Sequence, residues 1–262
     1  MALRNTTGVV LNEQNLGETD RLVTFYCLNE GLLRLAAPNA ARPGKGKAGL
    51  LQKFCWNDIE YYQPEKREKL GSINSLSSRR SFQVLREDLT RLSYGSYILE
   101  FYKKTGIEAG DEGLFSHLIT TLEHLSENDE LQSYKSILLI FKARSLALLG
   151  FAPNLFKCLN CNEDIGADSF NSQDRIVFSL KQGGVFCCQE SAPSRGLFPF
   201  DSKCYIALRD FVYTGYNKLS LHEKKLDKDR IDYIDNIIDK FINYHLDINI
   251  NSCRFIGMFG DE

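Results

Sequence analysis

Near the N-terminus the apolar positions come in three short runs, residues 8–11, 21–28 and 31–37. Asn15, Gly17 and Asp20 separate the first two, and Asn29, Glu30 and Gly31 the second and third. Short runs between turn-formers predict a β-meander rather than helices. Residues 50–62 predict a further strand and 69–76 a closing one, on either side of a charged turn at 63–68. Five strands in about eighty residues fit a small closed barrel of the OB type. Phe54, Trp56 and either Tyr61 or Tyr62 are its aromatic candidates for stacking on unpaired bases. The competing reading places such aromatics in the barrel core.

From Arg79 onward the period changes. Phe82, Leu85, Leu89 and Leu92 recur at helical spacing, followed by Tyr94, Tyr97, Ile98 and Phe101. Residues 113–125 predict a second amphipathic helix and 131–149 a long apolar one, ended by Gly150 and Pro153. Helical pattern resumes at 204–215 and 229–245. The chain is therefore expected to be an α+β multidomain protein: an N-terminal OB-type β-barrel (1–80), a helical domain in two parts (81–155 and 196–262), and an inserted zinc-finger-like module (156–195).

Charge sharpens this division. The overall charge is −2, yet residues 1–80 hold twelve Lys or Arg against eight acids. That region is positive and the remainder must be acidic. No acid lies between Gly31 and Asn57, whereas Arg34, Arg42, Lys45, Lys47 and Lys53 are all basic. With Trp56 beside them, these five form the candidate contact surface for a phosphate backbone. The alternative is an ordinary solvated loop. No signal peptide or membrane-length apolar run is seen, and eight cysteines in such a chain point to thiols or metal ligands, so the expected location is the cytoplasm.

Cys158 and Cys161 form a Cys-x-x-Cys pair, and Gly183-Gly184 precede Cys187 and Cys188. Two thiolates two residues apart can chelate one tetrahedral ion, which a second pair on a neighbouring turn would complete. The candidate ligands of one structural Zn2+ are Cys158, Cys161 and Cys187, with Glu190 or Cys188 in fourth place. Glu190 has the spacing of a second knuckle, while Cys188 offers the softer donor. A finger that keeps its fold without metal is the main rival. A thioredoxin-like redox pair lacks its strand-to-helix context. Catalytic signatures such as a Walker loop, HExxH or GxSxG are missing, which argues against an enzyme. His117 and His124, seven apart on one predicted helix, are expected on a half-exposed face.

Taken together, these residues resemble the RecO family of bacterial recombination mediators. The resemblance begins with Gly8-Val9-Val10-Leu11 and runs through Gly17-Glu18-Thr19-Asp20-Arg21-Leu22 and Glu30-Gly31-Leu32-Leu33. It continues through Ala41-Arg42-Pro43, Gly49-Leu50-Leu51-Gln52 and Leu149-Gly150-Phe151-Ala152-Pro153, which leads into Cys158 and Cys161. Gly183-Gly184-Val185-Phe186-Cys187 and Tyr244-His245-Leu246 complete it. Glu190 stands where the family usually has a fourth cysteine. The resemblance implies binding to single- and double-stranded DNA and annealing of complementary strands. It also implies work with RecR, RecF and single-strand-binding protein to load RecA recombinase. A zinc-ribbon adaptor that binds proteins, with no specific DNA role, is the alternative from another class.

Overall fold

Five strands precede the first helix: β1 (Ala2–Leu16), β2 (Asp20–Cys27), β3 (Gly31–Ala37), β4 (Trp56–Gln63) and β5 (Gly71–Arg80). The computed structural model describes residues 2–41, 48–64, 70–166, 176–187, 196–218, 226–253 and 256. By contacts, one unit comprises Met1–Asn128 with Ile250–Glu262, and a second comprises Asp129–Asn249.

In the first unit the strands close into a barrel in the order β1-β2-β3-β5-β4. β1 is shared between two partners, pairing with β4 over Ala2–Val9 and with β2 over Gly8–Leu16. An irregularity between Val10 and Asn12 lets the long strand bend from one partner to the other. Closure between β3 and β5 is brief and parallel, at Leu35↔Gly71 and Ala36↔Ser72. Val10, Val23, Phe25, Leu35, Ile59, Tyr61 and Ile73 fill the interior. The expected fourth strand begins later than its apolar run: Ala48–Leu51 is a 3-10 turn, with only Leu51 turned into the core. β5 runs to Arg80, beyond the expected end, because β4 pairs with it as far as Trp56 although its outer half is polar.

Helices α1 (Val84–Glu87), α2 (Leu89–Thr105) and α3 (Glu112–Glu127) complete this unit. Asp88 breaks the apolar periodicity into a short turn and a long helix, accepting a bond from the Arg91 amide as N-cap. Asp111 caps α3 in the same way. Gly95 lets α2 approach the barrel: a Cβ there would lie 2.7 Å from the buried Phe54 ring. The turn between β2 and β3 presses on residues 107–110, where Gly31 has φ +63° and a Cβ on it would sit 2.5 Å from the Ile107 carbonyl. His117 is buried on α3, not half-exposed as expected, because the face it shares with Leu114, Leu118 and Thr121 is the inner face of that helix.

The second unit is built on α4 (Leu131–Leu148), whose residues Ile137–Phe141 are buried in succession. With it are α5 (Ser202–Thr214), α6 (Lys228–Leu246) and a three-stranded sheet of β6 (Ile176–Ser179), β7 (Gly184–Phe186) and β8 (Leu197–Phe200), ordered β7-β6-β8. Phe178 of β6 stacks on Phe200 and meets Phe241 of α6. Among the described residues, no helix is long and apolar enough to cross a membrane.

A lysine is buried in this second core. Lys142 on α4 is 2 % exposed and pairs with Asp235 at 2.9 Å and Asp239 at 2.7 Å, both on α6. Burial pushes the Asp235 carboxyl up, and Lys142 opposes that shift. Removing the lysine would strand two acids in a poorly solvated place. Lys142→Ala is expected to cost about 3 kcal/mol, the lower end of the usual range because both acids keep partial contact with water. Urea unfolding would measure it, and adding Asp235→Asn should recover part of the loss.

Glu100 plays a comparable part in the first unit. It accepts bonds from the amides of Asn251 and Ser252 and from the Ser252 hydroxyl, and it pairs with Lys104. Burial raises its pKa, but those donors outweigh burial and bring it down to about 2. A carboxylate lowered on folding adds stability above its unfolded pKa of 4.5, and that contribution fades as pH falls through about 2. The Asn251 and Ser252 amide resonances should accordingly hold their positions well below pH 4.5 and shift only as pH nears 2. In Glu100→Gln they should already be displaced at neutral pH.

Candidate nucleic-acid interface and metal centre

The basic stretch is anchored at both ends. At its start, the Asp20 carboxylate accepts the Asn39 amide at 2.8 Å, and Ala41 N–H donates to the Thr19 carbonyl. Beyond it, the Cys55 thiol donates to Gly49 O, and the Asn57 amide side chain, fully buried, donates to Leu50 O at 2.7 Å. Both anchors belong to the barrel. Arg42, Lys45 and Lys47 themselves lie outside the described residues.

Arg34 and Lys53 are described, and both are exposed. Arg34 lies on the outward face of β3, next to Leu35, which points inward. The Lys53 carbonyl accepts a bond from the Arg86 guanidinium, which fixes the backbone and leaves the ammonium outside. Neither Arg34 nor Lys53 forms an ion pair among the described residues. The arginines at the end of β5 differ. Arg79 pairs with Asp58 at 2.6 Å, and Arg80 pairs with Glu123 and Glu127. Their charges are satisfied within the protein.

Strand alternation sorts the aromatics. Phe54 and Tyr61 are 0 % and 1 % exposed and belong to the core. Tyr62, on the opposite face of β4, is 42 % exposed. Trp56 is half-buried: its indole N–H donates to the Thr7 hydroxyl at 2.7 Å, Phe115 meets the ring edge-on, and the Arg79 guanidinium lies over it at 5.5 Å. Of the expected stacking candidates, Tyr62 therefore presents the most open ring, and Trp56 offers only part of its own.

The thiol centre is assembled by backbone pairing in the second unit. Asn154 N–H donates to Gly183 O, Val185 N–H to Asn154 O, and Leu159 N–H to Val185 O. These bonds lay β7 against the segment entering the first knuckle. Gly184 allows the approach, since a Cβ there would lie 2.8 Å from the Asn154 carbonyl. As a result the Sγ atoms of Cys158, Cys161 and Cys187 all fall within 4.8 Å of one another. The Cys161 and Cys187 sulfurs are 3.6 Å apart. Tetrahedral zinc with Zn–S bonds of about 2.3 Å would place its sulfurs about 3.8 Å apart, so the three thiols suit such an ion. Cys188 and Glu190, the two candidates for the fourth position, lie outside the described residues.

The electrostatics also favour a cation. Burial works to raise the Cys158 pKa, but the backbone amides of Cys161, Cys187 and Asn160 point at its sulfur and bring it down to about 7. Cys187 is pushed up to about 12, first by burial and then by the neighbouring thiols. The pocket thus readily stabilises one thiolate and resists further negative charge. A divalent metal would remove that resistance.

Sequence comparisons agree along the whole length of the chain. Residues 1–82 match the family model for the Recombination protein O N terminal, and residues 86–254 match that for the Recombination protein O C terminal. A protein of Acetivibrio thermocellus is 25 % identical over 252 residues, covering 96 % of this chain and 95 % of its own. One from Alkaliphilus metalliredigens is 26 % identical over 262 residues, covering 95 % and 97 %. A third, from Syntrophus aciditrophicus, is 31 % identical over 188 residues, covering 71 % and 69 %. All three are named DNA repair protein RecO. By both family models and by these relatives, the chain belongs to the RecO family of DNA repair proteins.

Proposed function

We propose that the protein is a non-enzymatic mediator of DNA repair and homologous recombination. It binds single- and double-stranded DNA and anneals complementary strands. With RecR, RecF and single-strand-binding protein, it helps load RecA recombinase. We assign residues 1–80 as an OB-type DNA-binding domain, an assignment supported by the 1-2-3-5-4 strand order. The helical regions 81–155 and 196–262 and the finger-like module 156–195 form the rest of the functional division, and the protein acts in the cytoplasm.

The observation that carries this reading is the acid-free stretch from Gly31 to Asn57, held at both ends by the barrel and containing Arg34 and Lys53, cations without an ion pair among the described residues. Annealing requires no proton transfer and no nucleophile. Cations along a surface screen two phosphate backbones and lower the cost of bringing complementary bases together. Contacts from Arg34, Arg42, Lys45, Lys47 and Lys53 would go to phosphates, which carry no sequence information. Trp56 contributes the part of its ring left open, and stacking there would tolerate any base. The adaptor reading differs in its salt response, because a protein-binding ribbon has no phosphates to displace counterions from.

Replacing Arg42, Lys45 and Lys47 together with Glu should weaken oligonucleotide binding by at least an order of magnitude and slow annealing, with the fold retained by circular dichroism. The slope of log affinity against log salt should become shallower by about 2, corresponding to three lost contacts on a single strand. Unchanged binding by the folded triple variant would move the interface elsewhere.

We further propose that Cys158, Cys161 and Cys187 hold one structural zinc, completed by Glu190 or Cys188. The chelate would tie the 156–188 segment together. Elemental analysis of protein purified without chelators should find one zinc per chain. Removing it should expose this segment to protease while leaving DNA binding by the barrel intact. Well under one equivalent of metal would favour a finger that folds without an ion.

A further inference from the structure

The first unit contains a cleft of about 290 Å³ that lies beside the basic stretch but is lined largely by other parts of the chain. Asn12 of β1 and Lys53 contribute to it, as do Ser96, Glu100 and Lys103 of α2 and Asn251 near the C-terminus. Its one acid among the described residues, Glu100, is already committed to Lys104, to two backbone amides and to the Ser252 hydroxyl. Lys53 and Lys103 are both exposed and form no ion pair among the described residues. The cleft therefore combines two uncompensated ammonium groups, neutral hydrogen-bonding side chains and a carboxylate whose charge is spent.

That set of groups selects an anion. Two lysines around a concavity with amide and hydroxyl donors suit a phosphate, whose oxygens can accept from several directions at once. The volume lies at the small end of the ~300–1,000 Å³ range of binding pockets, room for one charged group and its immediate attachment. Lysine is a compact, hydrated point charge and does not demand the planar, bidentate geometry of arginine. It suits a backbone contact that must form and release without reading sequence.

We propose that this cleft seats one backbone phosphodiester of bound DNA, with Lys103 of α2 and Lys53 as its cationic contacts. The DNA path is thereby extended from the barrel onto the first long helix. Glu100 is a positioning residue here: it holds residues 251–252 against α2 and so shapes one end of the cleft. The inference rests on the DNA-binding reading above and adds to it a site, a residue and a direction in which the strand leaves the barrel.

The test uses the full chain and a labelled oligothymidylate titrated over a series of salt concentrations. Lys103→Ala should bind several-fold more weakly, with the salt slope shallower by about 0.7, one phosphate contact on a single strand. Lys103→Arg should restore both, and an unchanged melting temperature would confirm that the exposed substitution leaves the fold alone. Wild-type affinity and slope in Lys103→Ala, alongside weakened binding by the Arg42, Lys45 and Lys47 reversal, would overturn the cleft assignment and leave the proposed function standing. Loss of salt-dependent binding in the wild type itself would remove both. A parallel titration with inorganic phosphate separates the two sources of the anion. Stabilisation by phosphate that needs Lys103, with oligonucleotide binding indifferent to it, would make this a free-anion site and overturn the backbone assignment.

Discussion

The first unit depends on the double pairing of β1. Without that strand, β2–β3 and β4–β5 are two hairpins joined only by the short parallel contact near Leu35 and Gly71. β1 supplies the missing seam by pairing with β2 along one length and with β4 along another. The bend at Val10 also borders the basic stretch. Val10 N–H donates to Cys55 O, and Phe54 N–H donates to Val10 O, so the backbone between Lys53 and Trp56 is hydrogen-bonded to the bend. A strand irregularity beside a binding surface re-aims the side chains near it. Here one irregularity both closes the barrel and sets the end of the basic stretch.

A second constraint is how the cations are distributed. Counting charges treats all twelve basic residues of the first eighty alike, but the structure divides them. Arg4 is paired with Glu30, Arg79 with Asp58, and Arg80 with two glutamates. Exposed pairs of this kind add little stability, yet they remove charge that would otherwise attract polyanions. What remains without an ion pair among the described residues is Arg21, Arg34 and Lys53, the last two inside the acid-free stretch. Lys103 lies outside the basic region and is invisible to a count of its charge. α2 carries it to the rim of a cleft whose one acid among the described residues, Glu100, is already paired with Lys104.

Much of this was legible in the sequence because period and punctuation agreed. The three opening runs became β1 to β3, the apolar segment after residue 131 became α4, and the helical pattern at 229–245 became α6. Turn residues and a strong 2- or 3.6-residue repeat carry such information locally. Errors arose where tertiary context decides. Residues 50–51 are apolar enough for a strand, but the chain turns there so that only Leu51 enters the core. Tyr61 and Tyr62 are adjacent and chemically alike, and only the register of β4 against β1 and β5 tells which faces water. His117 was misjudged for a related reason: a polar residue on an amphipathic helix says nothing of what covers its face. The aspartate caps at positions 88, 111, 201 and 227 did carry a readable local signal.

The thiol centre shows where sequence spacing stops and topology begins. Cys-x-x-Cys identifies two candidate ligands because their distance is fixed by a single turn, whereas Cys187 stands well apart in sequence and its place depends on β7 lying beside residues 154–159. That pairing is a matter of backbone bonds and of one glycine, Gly184, with no space for a side chain on the facing carbonyl. The cluster is thus a product of the sheet edge rather than of the cysteines themselves. Its charge balance follows from the same geometry. Amides converge on Cys158 and favour a thiolate there, but each added thiolate at this spacing meets the last one's charge. Three sulfurs brought this close by backbone pairing are therefore better suited to sharing a cation than to ionising side by side.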